Sequence, residues 1–198
     1  MYGVVTPGNP DFIGLMDERE QMLEKLFRAN NWVVFFPGSG RVSIDSALLG
    51  LPGPGEKILV PVNGVFSKWI GVSAERLGAK PIRLHPDWRK AVDPGAIKRA
   101  LDKDANIKVV AAVHNETATG IVNSIETISK DVHDYGALFL VDYVSFLGGD
   151  GVNTDGWGID LDCTSSHKCI NSVPGLSILR RREVLGGDGQ KEETCPEL

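Results

Sequence analysis

Lys168 stands where an amine could do chemistry. It closes Ser165-Ser166-His167-Lys168, just after the run 159–164 (IDLDCT) and shortly before Val173-Pro174-Gly175. Taken alone it fits a solvated loop lysine, as most lysines are. The rival reading is an amine whose pKa is lowered by partial desolvation and nearby positive charge, the condition for Schiff-base chemistry. Asp142 ends a second apolar run, ALFLV (137–141). A carboxylate there can cap a helix, pair with a cation, or hold a protonated ring nitrogen. A third run, WVVFF (32–36), stops at Pro37-Gly38-Ser39-Gly40-Arg41. A small-residue turn opening a helix offers free N–H groups and positive dipole to a phosphate, though ordinary strand-to-helix turns look the same. The dinucleotide pattern GxGxxG fails here, because Ser43 occupies the third glycine position. A fourth polar cluster, His114 to Gly120, follows KVVAAV (108–113). His85, His114, His133 and His167 show no ligand spacing with one another or with Cys163, Cys169 and Cys195, so no metal site is expected.

Each of these groups follows an apolar run, and the runs alternate with helical patterns. Residues 11–29 carry Leu15, Met16, Met22, Leu23, Leu26 and Phe27 at helical spacing. Further helices are predicted over 41–50, 66–78, 94–102 and 124–135. Asp93-Pro94 and Ser124 stand at starts, and Gly50, Gly78 and Gly136 at ends. Strands are predicted over 32–36, 57–62, 81–84, 108–113, 137–141, 159–164 and 176–179. Strands alternating with helices imply an α/β fold with a mostly parallel sheet sandwiched by helices. In such sheets ligands gather at the carboxyl ends of the strands, which is where all four polar groups fall.

The composition is ordinary for a globular chain: 42% hydrophobic and 24% charged over 198 residues, enough for one domain. A formal net charge of −5 argues against nucleic acid or an anionic membrane as partner. No apolar run reaches membrane-spanning length, and the N-terminus lacks signal-peptide character. Three cysteines without a CxxC pair point to a reducing, cytoplasmic location. Residues 1–185 read as one domain. Residues 186–198 (GGDGQKEETCPEL) read as a disordered tail.

In order and spacing, VHNETATG (113–120), LVDYVSFLGGDGVN (140–153) and SSHKCINSVPGL (165–176), with the 37–41 turn, resemble the class V aminotransferases of fold type I, which use pyridoxal 5′-phosphate. The resemblance covers about residues 8–185 and implies a large cofactor-binding domain. Ser39, Gly40 and Arg41 match the turn that cradles the cofactor phosphate. Phe66 matches the aromatic that stacks on the pyridine ring, Val144 the apolar residue on its other face, and Thr117 the hydroxyl near its phenolic oxygen. Asp142 matches the carboxylate that pairs with the ring nitrogen, and Lys168 the lysine that binds the cofactor covalently, with His167 beside it.

The resemblance implies transamination between a small amino acid (alanine or serine) and a 2-oxo acid (glyoxylate or pyruvate), in a homodimer. The alternatives are a 2-aminoethylphosphonate or pyridoxamine transaminase, suggested by Lys168-Cys169-Ile170 and Val173-Pro174-Gly175, and a cysteine desulfurase-like lyase, suggested by Ser166-His167-Lys168. A non-catalytic relic of the large domain is a further alternative. The family's small C-terminal domain, with its carboxylate-gripping arginine, has no counterpart in the sequence. Arg41 and His167 depart from the family's usual residues.

Overall fold

The computed structural model describes residue 6, residues 8–29 and residues 32–182. The proposed tail, 186–198, lies outside the described residues. Helix α1 (Pro10–Phe27) leads into strand β1 (Trp32–Pro37) and helix α2 (Gly40–Gly50). Then come β2 (Lys57–Pro61), α3 (Val65–Arg76), β3 (Lys80–Leu84), α4 (Pro94–Lys103) and β4 (Ile107–Val113). A small hairpin, β5 (Asn115–Glu116) and β6 (Ile121–Val122), precedes α5 (Ile125–Asp134). The chain closes with β7 (Leu138–Asp142), β8 (Leu161–Ser165) and β9 (Leu176–Arg181).

Seven strands form one sheet in the order β1-β9-β8-β7-β4-β2-β3. The β3-β2-β4-β7-β8 pairings are parallel, and β9 runs antiparallel to both its neighbours, β8 and β1. Parallel strands buried on both faces need continuous apolar runs. Ile58, Leu59 and Val60 of β2 and Val110, Ala111 and Ala112 of β4 are accordingly buried. Alternation divides them between two layers. Ile58, Val60, Val109, Ala111, Val113 and Leu140 pack with α2 and α3 through Ile44, Leu48, Ile70 and Ala74. Leu59, Val110, Ala112, Phe139 and Val141 pack with α1, α4 and α5 through Phe27, Ile97, Leu101, Ile128 and Val132. The sheet is thus covered on both sides, as the alternating pattern implied.

Local signals set the helix ends. The Asp93 side chain accepts from Gly95 N at 2.9 Å, capping α4 with Pro94 in the first turn. Ser124 stands at the N-cap of α5, but its side chain makes no capping bond. Beyond α3 and α5 the chain turns through Gly78 (φ 94) and Gly136 (φ 68), a left-handed conformation that glycine adopts at no steric cost. Helix α1 departs from its apolar pattern: Leu23 and Phe27 are buried, whereas Leu15, Met22 and Leu26 are exposed. Among the described residues no helix is long and apolar enough to cross a membrane.

A buried ion pair fixes the β8–β9 hairpin that carries the lysine loop. Arg180 Nε donates to Asp162 Oδ2 at 2.7 Å, and its Nη2 donates to the Ile159 carbonyl at 2.7 Å. Register follows, with Asp162 opposite Arg180 and Ser165 opposite Ser177.

Candidate active site

A cavity of about 220 Å³ opens at the carboxyl ends of β4 and β7, on the α2/α3 side of the sheet. Ser39, Gly40, Arg41, Phe66, Thr117, Asp142, Val144, His167 and Lys168 all line it. The nine residues that the resemblance singled out therefore meet in one place, whereas His114 of the fourth polar cluster does not line it. The topology accounts for this: the segments that follow parallel strands emerge on the same edge. Strand parity adds the second coordinate. Leu140 faces the α2/α3 layer, and Asp142, two residues on, lies on the same side.

The 37–41 turn is fixed from three directions. Gly38 N donates to the Gly175 carbonyl at 2.7 Å, tying the turn to the end of the lysine loop. Ser43 N donates to Ser177 Oγ at 2.8 Å, and Ser43 Oγ donates to the Gly40 carbonyl at 2.9 Å. The start of α2 thus rests on β9. A Cβ on Gly40 would sit 2.3 Å from Val144 Cγ2, so only glycine lets the helix come this close to Val144. The Ser39 side chain makes no capping bond, which leaves its hydroxyl available at the mouth of the helix.

Helix α3 presents Phe66, Trp69, Ile70 and Ser73 to the cavity, the i, i+3, i+4, i+7 positions of one helical face. Phe66 and Trp69 pack edge to face with centroids 5.2 Å apart. The start of α3 is held by Glu116, which is fully buried. Its Oε2 accepts from Ser67 N and from Ser67 Oγ, each at 2.9 Å. Its Oε1 accepts from Phe66 N and Ala118 N, each at 3.2 Å. One carboxylate thus caps a helix in place of a local side chain, and it links the backbone of Phe66 to the turn carrying Thr117. Glu116 was visible within the 113–120 motif, yet a cap supplied from 49 residues away leaves no local sequence signal.

Asp142 is 5% exposed. Burial pushes its pKa up to about 6, against a hydrogen bond from Val144 N (2.8 Å to Oδ1), with Glu116 raising it and Arg41 lowering it. The next turn is braced by polar groups. Thr117 Oγ1 donates to Ser145 Oγ at 2.7 Å, Ser145 Oγ donates to the Asn115 carbonyl at 2.9 Å, and Asn115 Nδ2 donates to the Ser145 carbonyl at 3.1 Å. Behind them His114 stacks on Phe146, centroids 3.6 Å apart, and burial pulls its pKa down to about 4. It is a neutral core imidazole outside the cavity lining.

Lys168 is exposed at the cavity, on an irregular loop between β8 and β9. The loop is closed by Ser166 Oγ donating to the Val173 carbonyl (2.6 Å) and Asn171 N donating to the Lys168 carbonyl (2.8 Å). His167 Nδ1 is buried without a hydrogen-bond partner among the described residues. Cys163 is fully buried and burial pushes its thiol pKa up, so it is no nucleophile; Cys169 is free and exposed. Among the described residues no group of three or more metal-ligating side chains converges. Sequence reasoning missed Trp69, Ile70, Ser73, Asn115 and Ser145 as lining residues.

A doubly covered parallel sheet with a lysine, a buried carboxylate and a glycine turn around one cavity defines a fold type I aminotransferase domain. The chain matches the family described as Aminotransferase class-V over residues 9–193, and it belongs to that family. It is 38% identical over 169 residues to an uncharacterized aminotransferase of Methanocaldococcus jannaschii, covering 85% of this chain and 44% of that protein. It is 31% identical to the alanine–glyoxylate aminotransferase of Mus musculus, covering 85% of this chain and 41% of that one. The crystal structure of a ureidoglycine–glyoxylate aminotransferase from Bacillus subtilis superposes with a TM-score of 0.88 at 33% identity, over 92% of this chain and 47% of that one. The chain therefore spans a little under half the length of the relatives it matches. Class V aminotransferases depend on pyridoxal phosphate.

Proposed function

We propose that this chain is the cofactor-binding part of an aminotransferase that moves an amino group from a small amino acid, alanine or serine, to a 2-oxo acid such as glyoxylate or pyruvate. The observation that carries the reading is the convergence of Lys168, Asp142, Phe66, Val144 and the Ser39–Gly40 turn on one cavity. These residues fit pyridoxal phosphate. Ser39, Gly40 and Arg41 bring the α2 N-terminus to the cavity lining, and His167 Nδ1 is a buried polar atom without a partner among the described residues. When bound, the cofactor acts as an electron sink for the substrate's α-carbon.

The chain's own groups then have separable tasks. Ser39 and the N–H groups of the 39–41 turn hold a phosphate at a helix start. Phe66 and Val144 are the two apolar walls that confine a flat ring. Asp142 Oδ1 is engaged by Val144 N, which leaves Oδ2 to accept from a protonated ring nitrogen. A cation there favours the charged carboxylate and lowers its pKa from about 6, keeping it ionised at neutral pH. Thr117 offers its hydroxyl oxygen near the ring substituents. Lys168 Nζ would hold the cofactor covalently, and its free amine is the group placed to move the substrate's α-proton. Lys168 has no anionic partner among the described ion pairs.

We further infer a homodimer and a cytoplasmic location. The exposed Ile13, Leu15, Met22 and Leu26 on α1 support association, and the free thiols Cys163 and Cys169 fit a reducing compartment. The test combines chemistry and turnover. Borohydride reduction of the protein with pyridoxal phosphate, followed by peptide mapping, is expected to place the adduct on Lys168. An adduct on Lys108 or Lys130 would remove the assignment. Alanine–glyoxylate exchange then tests the substrate class.

A further inference from the structure

Arg41 is a half-buried cation in the cavity without an anionic partner among the described residues. Its Nη1 donates to Ser73 Oγ at 3.2 Å, and its guanidinium carbon lies 4.5 Å over the Trp69 ring. No carboxylate comes within ion-pair distance of it among the described residues, although Asp45 lies one helical turn further along α2. A guanidinium has five N–H donors in a fixed fork, and Ser73 takes one. Stacking on an aromatic face and a hydrogen bond to a buried hydroxyl hold the plane in place. The remaining donors stay free, so little side-chain freedom is lost when a ligand arrives.

We propose that the Arg41 guanidinium reads an oxyanion of the ligand in this cavity, acting as a side-chain donor in addition to the backbone of the 39–41 turn. This rests on the cofactor reading given above and deepens it. The oxyanion has two sources of the same chemistry: the cofactor's phosphate, or an acidic group that a substrate carries beyond its α-carboxylate. Two features favour recognition over bracing. A brace between α2 and α3 is served by apolar contact alone, whereas a partly desolvated cation without a counter-ion carries a penalty that an incoming anion relieves. Arg41 also lines the same cavity as Lys168 and is near enough to Asp142 to lower its pKa. The guanidinium fork matches carboxylate and phosphate oxygens pairwise, which a lysine ammonium does not.

The experiment uses the full chain with Arg41→Gln and Arg41→Lys. Pyridoxal phosphate and pyridoxal are titrated separately, reading the visible band of the Lys168 adduct. The loaded protein is then titrated with glyoxylate and with 2-oxoglutarate, reading the change in that band. If the oxyanion is the phosphate, Arg41→Gln weakens pyridoxal phosphate binding by about 10- to 100-fold and leaves pyridoxal unchanged. If it belongs to the substrate, cofactor affinity holds and the preference for 2-oxoglutarate over glyoxylate falls by a similar factor. Arg41→Lys is expected to recover part of either loss. Both ratios staying at wild-type values in Arg41→Gln, with or without a lower thermal midpoint, would overturn the proposal. A chain that forms no adduct at Lys168 refutes the cofactor reading instead. Inorganic phosphate, followed by tryptophan fluorescence through Trp69, still reports on the guanidinium in such a chain: a response lost in Arg41→Gln supports the proposal, and one that persists overturns it.

Discussion

Replacing Glu116 tests whether the cavity wall is set by a remote helix cap. In Glu116→Ala four donors lose a carboxylate acceptor: Phe66 N, Ser67 N, Ser67 Oγ and Ala118 N. Ser67 is fully buried, so its N–H bears the full penalty, whereas its hydroxyl turns to the Gly64 carbonyl at 3.2 Å and the half-buried Phe66 and exposed Ala118 can recruit water. At about 1–3 kcal/mol for a buried unsatisfied group, the loss is about 1–3 kcal/mol. That is a large part of an ordinary domain's roughly 5–15 kcal/mol. Glu116→Gln is the sharper variant. Its amide NH2 must face one pair of donors, and the Ser67 side is the less costly, because the hydroxyl there can turn and accept. Ser67 N alone is then orphaned, for about 1–2 kcal/mol. Urea unfolding followed by circular dichroism measures both, and an unchanged m-value keeps the comparison within two-state behaviour. If Glu116→Gln were as stable as wild type within about 0.5 kcal/mol, the surface-substitution range, the capping bonds would not be holding α3.

Gly40→Ala is expected to cost about 1–3 kcal/mol through overpacking, since its Cβ would land 2.3 Å from Val144 Cγ2; Val144→Ala in the same chain should restore most of the loss in thermal midpoint. Asp142 has its folded pKa raised from 3.8 to about 6, so its stabilising contribution is present at low pH and is lost as pH rises through that window, by about 3 kcal/mol in the ligand-free chain. Asp142→Asn should remove that slope in a pH series of urea midpoints. His114 is lowered from 6.5 to about 4, so its contribution is present above pH 6.5 and is lost as pH falls, again by about 3 kcal/mol. His114→Phe should flatten the acid limb, and an unchanged limb would show that the imidazole is protonated in the folded state. Lys168→Ala should abolish the visible adduct while leaving the thermal midpoint near wild type, since the side chain is exposed.

The sheet was legible because its strands are continuous apolar runs. KVVAAV and ALFLV have nowhere to go but a doubly covered interior, and the helices between them end at Gly78 and Gly136 as their sequences announce. The order of strands was not legible. Nothing local says that β9 slots antiparallel between β8 and β1, because that choice is made by the Arg180–Asp162 pair and its register. The two-residue strands of the β5–β6 hairpin are too short to carry a periodic signal. Phe66 was readable only through family resemblance. Its neighbours Trp69, Ile70 and Ser73 follow from it once α3 is known to be a helix with that face inward. Glu116 lies beyond such reading, since its partners are brought to it by the fold. The apolar residues of α1 mark the limit of periodicity as a guide to burial: Leu15, Met22 and Leu26 match the pattern yet face outward.

The cavity gathers polar groups that the described residues leave partly unpaired. Asp142 is buried with one oxygen bonded to Val144 N, Arg41 is half-buried without a carboxylate, and His167 Nδ1 has no partner among the described residues. Each costs free energy where it stands, and on the reading proposed above Asp142 would be met by a protonated ring nitrogen and Arg41 by an oxyanion. Asp142 and Arg41 do not satisfy one another. Arg41 only tempers the Asp142 pKa, because Trp69 and Ser73 hold the guanidinium to the α3 side while Val144 N holds the carboxylate to the sheet side. Keeping the two charges apart leaves both available within one cavity. The rigid parts that enforce the separation are the Glu116 cap, the Gly40–Val144 contact and the Ser145 brace. They lie at the edges of the cavity, and binding energy there depends on their holding two opposite charges within reach of the ligand and out of reach of each other.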